Sequence, residues 1–305
     1  MEIYTDFAMF YDHFMEDIPY DKWGEFIRGT LLTYEVQEGR ETCNLQDKAP
    51  IKQPLVLDLG CGTGAMTERL ASYGYDMIGI DNSSAMLEIA KNKEESSDYN
   101  ILYLQQDMRE FELYGSVAAV ICVCDSINYI LELSELRQVF CLVNHYLDPG
   151  GLFIFDFNTD YKYREVIGNQ TIAENREDKS FIWENYYYEE ERINEIELSL
   201  FVKENSHSGE YKVDVDCCDT DGIKNKPDSR DEAKEELHNE KDNKGVPYRK
   251  YIEIHQQRAY HLEEIKEALE ETGLEVIKVC DDYTCEEVHE ESQRVVVVAR
   301  CTKTK

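Results

Sequence analysis

Nowhere in the 305 residues is there an apolar run of about 18 residues, so no membrane-crossing helix is expected. The opening Met1-Glu2-Ile3-Tyr4-Thr5-Asp6 holds neither a basic n-region nor an apolar stretch, which argues against secretion and for a cytoplasmic location. Ten cysteines are scattered with no CxxC pair, and no metal site is expected from them. Cys122 and Cys124 sit in an apolar run and read as buried, reduced thiols; Cys217 and Cys218 are neighbours that would face opposite ways on a strand. Basic residues are also short: 32 Lys and Arg stand against 64 Asp and Glu, a formal net charge of −32. Such a chain repels polyanions, so no nucleic-acid partner is expected. A small molecule, a cationic amine for example, fits the charge better, although the same charge also serves solubility. Hydrophobic residues, at 42%, suffice for a core.

The most informative stretch is Leu55-Val56-Leu57-Asp58-Leu59-Gly60-Cys61-Gly62-Thr63-Gly64. Its apolar start reads as a strand buried on both faces. Three alternate glycines allow a sharp turn and a close backbone approach to a ligand. A helix then resumes at Ala65 and would point its N–H groups at that ligand. The third glycine comes one residue earlier than in the dinucleotide pattern Gly-x-Gly-x-x-Gly, and the acid Asp58 lies within the strand.

Upstream, Phe7, Phe10, Tyr11 and Phe14 fall on one helical face, and Tyr20, Trp23 and Phe26 follow. This face either packs on the main domain or closes as a lid whose aromatics attract a cation. Downstream, strands are expected at 76–80, 101–105, 117–123 and 152–157, with helices at 65–71, 85–91 and 134–146. Asp148-Pro149-Gly150-Gly151 reads as the stop of the third helix. This alternation is doubly wound α/β. Asp81 follows the second strand and is placed to hold ribose hydroxyls. Asp107 follows the third, where an acid can accept from an adenine amino group. After Phe157 the pattern changes to strands at 181–188, 193–202, 211–218 and 248–260, an antiparallel sheet inserted in the α/β domain. A helix at 262–272 and strands at 274–279 and 294–301 complete the core. The expected division is a helical lid and linker at 1–54, an α/β core at 55–175, an inserted sheet at 176–260 with a mobile acidic loop at 219–247, and a C-terminal completion at 261–305.

Five segments in order, LDLGCGTG (57–64), IGIDNSSAML (78–87), QQDMREF (105–111), VICVCDSINYI (120–130) and LDPGGLFIFDFN (147–158), resemble the class I S-adenosylmethionine-dependent methyltransferases. FAMFYDHFM and Glu253-Ile254-His255-Gln256 resemble the bacterial small-molecule N-methyltransferases, aminosugar enzymes among them. The resemblance implies a Rossmann-like sheet of seven strands whose last strand is antiparallel. It also implies S-adenosylmethionine as cofactor, and it allows a homodimer contact through the inserted sheet. Tyr11 would sit near the transferred methyl group, and Gly60, Gly62 and Gly64 would carry the methionine end. Asp81 would take the ribose, and Asp107 with Met108 the adenine. Trp23, Asp58, Cys61, Asn82, Met86 and Cys124 complete the expected cofactor contacts. The N/D-P-P-Y/F signature of nucleobase amine methylation is replaced by Cys124-Asp125-Ser126-Ile127.

Methyl transfer from a sulfonium is an in-line displacement that depends mostly on alignment and exclusion of water. An amine acceptor must also lose a proton. Tyr11, Asp125 and His255 are the candidate catalytic groups, with Asn128 orienting, and Trp183 and Arg258 are candidate substrate contacts. His255 alternates with Glu253 and Gln257, which would point it into the cleft. Two alternatives stand beside this reading: a methyltransferase acting on tRNA or protein, and an NAD-binding oxidoreductase.

Overall fold

The structure is a computed structural model that describes residues 7, 8, 11, 12, 15, 18–34, 36, 53–94, 97, 99–175, 179–203 and 247–304. Five strands, β1 (Leu55–Leu59), β2 (Asp76–Asp81), β3 (Leu102–Gln105), β4 (Val117–Cys122) and β5 (Leu147–Asn158), build the first part of the main sheet. β10 (Leu274–Asp281) and β11 (Arg294–Cys301) complete it in the order β10-β11-β5-β4-β1-β2-β3. β1 to β5 pair in parallel, and β11 runs antiparallel to both neighbours. The resulting seven strands match the expected class I sheet.

The sheet is buried on both faces because its strands carry little polarity: Val56, Leu57 and Leu59 are 0% exposed, as are Val296 to Ala299. On one face lie α4 (Leu133–Tyr146) and α5 (Leu262–Glu271). The buried residues Leu136, Val139, Phe140 and Val143 of α4 recur at three- and four-residue steps, one stripe of a helix. The other face carries α1 (Tyr20–Thr33), α2 (Ala65–Ser72) and α3 (Ser84–Glu94).

β5 begins earlier than the sequence suggests. Residues 148–151 do not form a separate turn but extend β5 through a bulge, where pairing with β4 jumps from Val117–Leu147 to Ala119–Leu152. The inserted sheet also starts earlier than residue 176. β6 (Thr171–Asn175), β7 (Lys179–Tyr188), β8 (Ile193–Lys203) and β9 (Tyr248–Arg258) pair antiparallel in that order. β6 is short and its side chains are mostly exposed, so no apolar alternation announces it. A single π-helical stretch, Lys162–Ile167, leads from β5 into it. The expected strand at 211–218 and the acidic loop, apart from Pro247, lie outside the described residues, as do Phe10 and Phe14 and the linker at 39–52.

The insertion is tied down by polar groups. Asn128 is fully buried in the 3-10 turn Ser126–Tyr129. Its amide donates to the carbonyls of Asn158 and Arg258, at 3.0 and 2.8 Å, and accepts the Asn158 N–H. Asn128 is thus a brace between the ends of β5 and β9, not a group free to orient an acceptor.

Candidate active site

The carboxyl ends of β1, β2 and β4, the residues after β3, Tyr11 and Tyr20, and strands β8 and β9 of the second sheet enclose a cavity of about 640 Å³. It opens where the strand order reverses between β1 and β4, the usual ligand crevice of an open α/β sheet. Of the expected cofactor residues, Tyr11, Asp58, Gly60, Cys61, Gly62, Asp81, Asn82, Met86, Asp107, Met108 and Cys124 line it. Gly64 shapes the turn behind the wall as the left-handed residue that opens α2. Trp23 does not reach the cavity. It is 4% exposed, its ring stacks on Tyr283 at 4.5 Å, and the Arg294 guanidinium lies 5.0 Å from its ring centroid. Tyr20, one helical turn earlier on α1, takes the cavity position instead, and its hydroxyl lies 3.6 Å from the Cys124 thiol.

The glycine loop works by shape more than by donating. The N–H groups of Gly60 and Cys61 both go to the Ile80 carbonyl, that of Gly62 to Asp81 Oδ2, and that of Gly64 to the Cys61 carbonyl. The donors of Gly60, Cys61 and Gly62 therefore hold the loop to β2, and that of Gly64 closes the turn on Cys61. Asp81 accepts from Gly62 at 2.8 Å through Oδ2 and from Ser83 at 2.8 Å through Oδ1. Burial raises its carboxyl pKa, and these backbone donors oppose the rise. Each oxygen keeps a further lone pair for a diol.

Asp58 is the most exacting group in the wall. It is 1% exposed, Oδ2 accepts from the Thr67 hydroxyl at 2.6 Å, and Oδ1 has no hydrogen-bond partner among the described residues. Burial pushes its pKa up to about 7, and the neighbouring Asp81 adds to the rise. An orphaned buried carboxylate oxygen costs free energy unless a donor meets it, and a ligand ammonium is the natural one. Three carboxylates, Asp58, Asp81 and Asp107, thus line one cavity. At Asp107 the outcome is narrower than expected, since Arg109 occupies both carboxylate oxygens at 2.5–3.1 Å and lowers the pKa. The adenine would share those oxygens with the guanidinium.

The expected catalytic groups separate. Tyr11 lines the cavity, and burial, reinforced by Cys124 and Tyr20, raises its pKa well above the usual value. It is a wall and a donor, and a poor base. Asp125 is engaged on both oxygens: Oδ1 by Arg294 at 3.0 Å and Oδ2 by the Gln257 amide at 2.7 Å. Arg294 also pairs with the buried Asp156 at 2.9 Å, and Asp156 in turn accepts the N–H groups of Cys124 and Asp125, at 3.2 and 2.6 Å. Both of those residues have positive φ, 59° and 51°, a strained arrangement that this clamp sustains. His255 does not line the cavity; Ile254 and Gln256 do. The face carrying Glu253, His255 and Gln257 is buried because Phe7 and Asp125 bond to its ends. Trp183 packs in the apolar cluster of the inserted sheet with Phe7 and Tyr11, and Arg258 donates to the Leu131 carbonyl, so neither is a cavity contact.

Several wall residues escape the sequence reading: Tyr20, Tyr129, Arg109, Glu195 and Gln256. Tyr129 lay within the fourth motif, but a turn residue shows no periodicity that would aim it. The chain before α1 is fastened to the glycine loop through Asp12, which meets the Thr63 hydroxyl and the Lys93 ammonium, while Lys93 also donates to the Thr63 carbonyl at 3.1 Å.

Comparison with known proteins bears on the family and the fold. Residues 56–151 match the methyltransferase domain family. A presumed methyltransferase of Geobacillus sp. (strain WCH70) is 32% identical over 97% of this chain and 99% of its own length. Among solved structures, an S-adenosylmethionine-dependent methyltransferase from Clostridium acetobutylicum ATCC 824 superposes with a TM-score of 0.73 at 24% identity, covering 99% of this chain and 100% of that one. The S-adenosylmethionine-bound CalS10, an amino pentose methyltransferase from Micromonospora echinaspora, superposes with a TM-score of 0.61 at 15% identity over 98% of each chain. The nicotinamide alternative is set aside, and the chain belongs to the class I S-adenosylmethionine-dependent methyltransferases.

Proposed function

We propose that the enzyme methylates a small acceptor, an amine, in the cytoplasm. The carrying observation is the space beside Cys124, walled by Tyr11, Tyr20 and Tyr129 and edged by Glu195, which suits a compact cation. The net charge of −32 and the amino pentose enzyme of similar fold support the same choice. When bound, the cofactor supplies an electrophilic methyl group on a positively charged sulfur. Asp58 meets its ammonium, Asp81 its ribose, and Gly60 and Gly62 let the backbone close on it. The lid residues Tyr11 and Tyr20 exclude water and hold the acceptor in line.

Methyl-labelled S-adenosylmethionine tests this against benzylamine and glucosamine, their hydroxyl counterparts benzyl alcohol and glucose, and bulk tRNA. Label on an amine and not on its hydroxyl counterpart is the expected result; label on tRNA alone overturns it.

Two expectations concern the cofactor. Asp81→Ala should weaken S-adenosylhomocysteine binding by about 1–3 kcal/mol, the scale of hydrogen bonds to a charged group. Calorimetric titration showing unchanged affinity removes Asp81 from the site. The second concerns Asp58, whose folded pKa of about 7 lies above its unfolded value. This group costs the empty protein stability as pH rises from about 4 through 7, because the native state binds the extra proton. A ligand ammonium selects the ionised form, so cofactor affinity should rise with pH between about 6 and 7.5, with release of a proton. Asp58→Asn should flatten that slope, and titrations at several pH values read it directly.

A further inference from the structure

A chain of polar groups leads away from the cavity wall into the inserted sheet. Tyr129 lines the cavity, and its hydroxyl lies 3.5 Å from His255 Nδ1, the rings meeting edge to face at 6.1 Å. His255 Nε2 lies 3.3 Å from Glu253 Oε2, and Glu253 Oε1 accepts the Phe7 N–H at 3.0 Å. His255 and Glu253 are buried, at 3% and 7% exposure. A carboxylate beside Nε2 favours the tautomer with its proton there, which turns Nδ1 to the tyrosine hydroxyl as an acceptor. The 3.5 Å spacing is long for a hydrogen bond, as such contacts often are before a substrate tightens them.

We propose that Tyr129, His255 and Glu253 form the proton relay that deprotonates the acceptor; this rests on the amine reading above. The acceptor nitrogen gives its proton to the Tyr129 oxygen while the phenol proton passes to His255 Nδ1. The imidazolium so formed is stabilised by the Glu253 carboxylate. The freed lone pair makes the nitrogen–carbon bond as the carbon–sulfur bond breaks, its electron pair staying on sulfur. The proton returns through Tyr129 to water once the product leaves. Tyr129 is the catalytic residue of the three, and the other two act through it.

Asp125, Tyr11 and Cys124 serve less well as bases. Asp125 is held by Arg294 and Gln257, and Tyr11 and Cys124 stay protonated by burial. Titratable groups beside His255 include Glu253 on its own strand and Tyr129 on the turn that ends at the cavity wall. From β8 His255 is faced by Ile196, with Leu198 opposite Glu253, both apolar.

Two measurements test the relay. The first needs no acceptor: long-range nitrogen–proton spectra of ¹⁵N-histidine protein with S-adenosylhomocysteine, the His255 signals identified by their loss in His255→Asn. The relay requires the Nε2–H tautomer at pH 7–8; a proton resident on Nδ1 overturns it. The second uses glucosamine or benzylamine. Tyr129→Phe should keep S-adenosylhomocysteine affinity and KM within about threefold while kcat falls by about 10²-fold, the scale of a lost proton-transfer group. Its kcat profile should shift to higher pH, since the amine must then arrive neutral. Glu253→Gln should lose less, and a wild-type kcat and pH profile in Tyr129→Phe overturns the relay. A wild-type enzyme that methylates no amine sinks the amine reading, whereas the tautomer decides the relay by itself.

Discussion

Replacing Arg294 by methionine is expected to lower the free energy of unfolding by about 3–5 kcal/mol, the cost of leaving a buried charge without its partner. The guanidinium joins Asp125 at 3.0 Å and Asp156 at 2.9 Å, with Trp23 beneath it. Asp156 is 0% exposed, and it also takes the Tyr283 hydroxyl at 2.5 Å. Without Arg294 both carboxylates lose their counter-charge, and the left-handed pair Cys124-Asp125 loses the clamp that offsets its strain. Arg294→Lys should fall between, since an ammonium keeps the charge but cannot fork to two carboxylates. Urea unfolding of the three proteins reads the order from the midpoints. Equal midpoints for wild type and Arg294→Met would show that the cluster contributes no net stability.

The second large effect is expected in the glycine loop, as an order among three alanine variants. All three glycines have positive φ: 79° at Gly60, 54° at Gly62 and 80° at Gly64. Left-handed backbone costs a side chain of the L series about 1–2 kcal/mol, so each substitution loses at least that scale of stability. What a Cβ would meet separates them. At Gly62 it enters open space, at Gly60 it comes within 2.9 Å of Ser126 Oγ, and at Gly64 it runs into the Tyr103 hydroxyl. Ser126 is tied by its hydroxyl to the Val123 carbonyl and itself lines the cavity, so Gly60→Ala moves part of the wall. Cofactor affinity should therefore fall least for Gly62→Ala and by more than about tenfold for the other two, a loss of about 1.4 kcal/mol or more. Calorimetric titration with S-adenosylhomocysteine measures all three; a larger loss at Gly62 than at Gly60 would contradict the steric reading.

The α/β core was legible in the sequence because its signals are local. A doubly buried strand is a continuous apolar run, as at 55–59 and 117–122, and glycines at alternate positions announce the turn. Asp81 could be placed in the wall from its strand end alone, and Asp58 from the motif that the resemblance supplied. Trp23 could not, because a helix position one turn from the cavity has the same composition as one inside it. Its stacking partner Tyr283 and its cation Arg294 come from the far end of the chain. Asp125 likewise read as a base until Arg294, 169 residues away, occupied it. On β9, period-two alternation identified the two faces correctly but not which one meets the cavity. That is decided by Phe7 and Asp125 covering Glu253 and Gln257.

Asn128 draws the exit of β5 and the return of β9 to a single buried amide, with carbonyls of Asn158 and Arg258 at 3.0 and 2.8 Å. Everything between those two carbonyls is therefore an excursion that leaves and rejoins the core at one place. A loop with fixed, adjacent ends can lengthen, shorten or be exchanged at a cost that grows only slowly with its length. The insertion is in this sense a cassette. An exchange of this kind leaves the pairing of β1 to β5, and with it the glycine loop, as it is, and it carries Glu253 and His255 away with the exchanged strand.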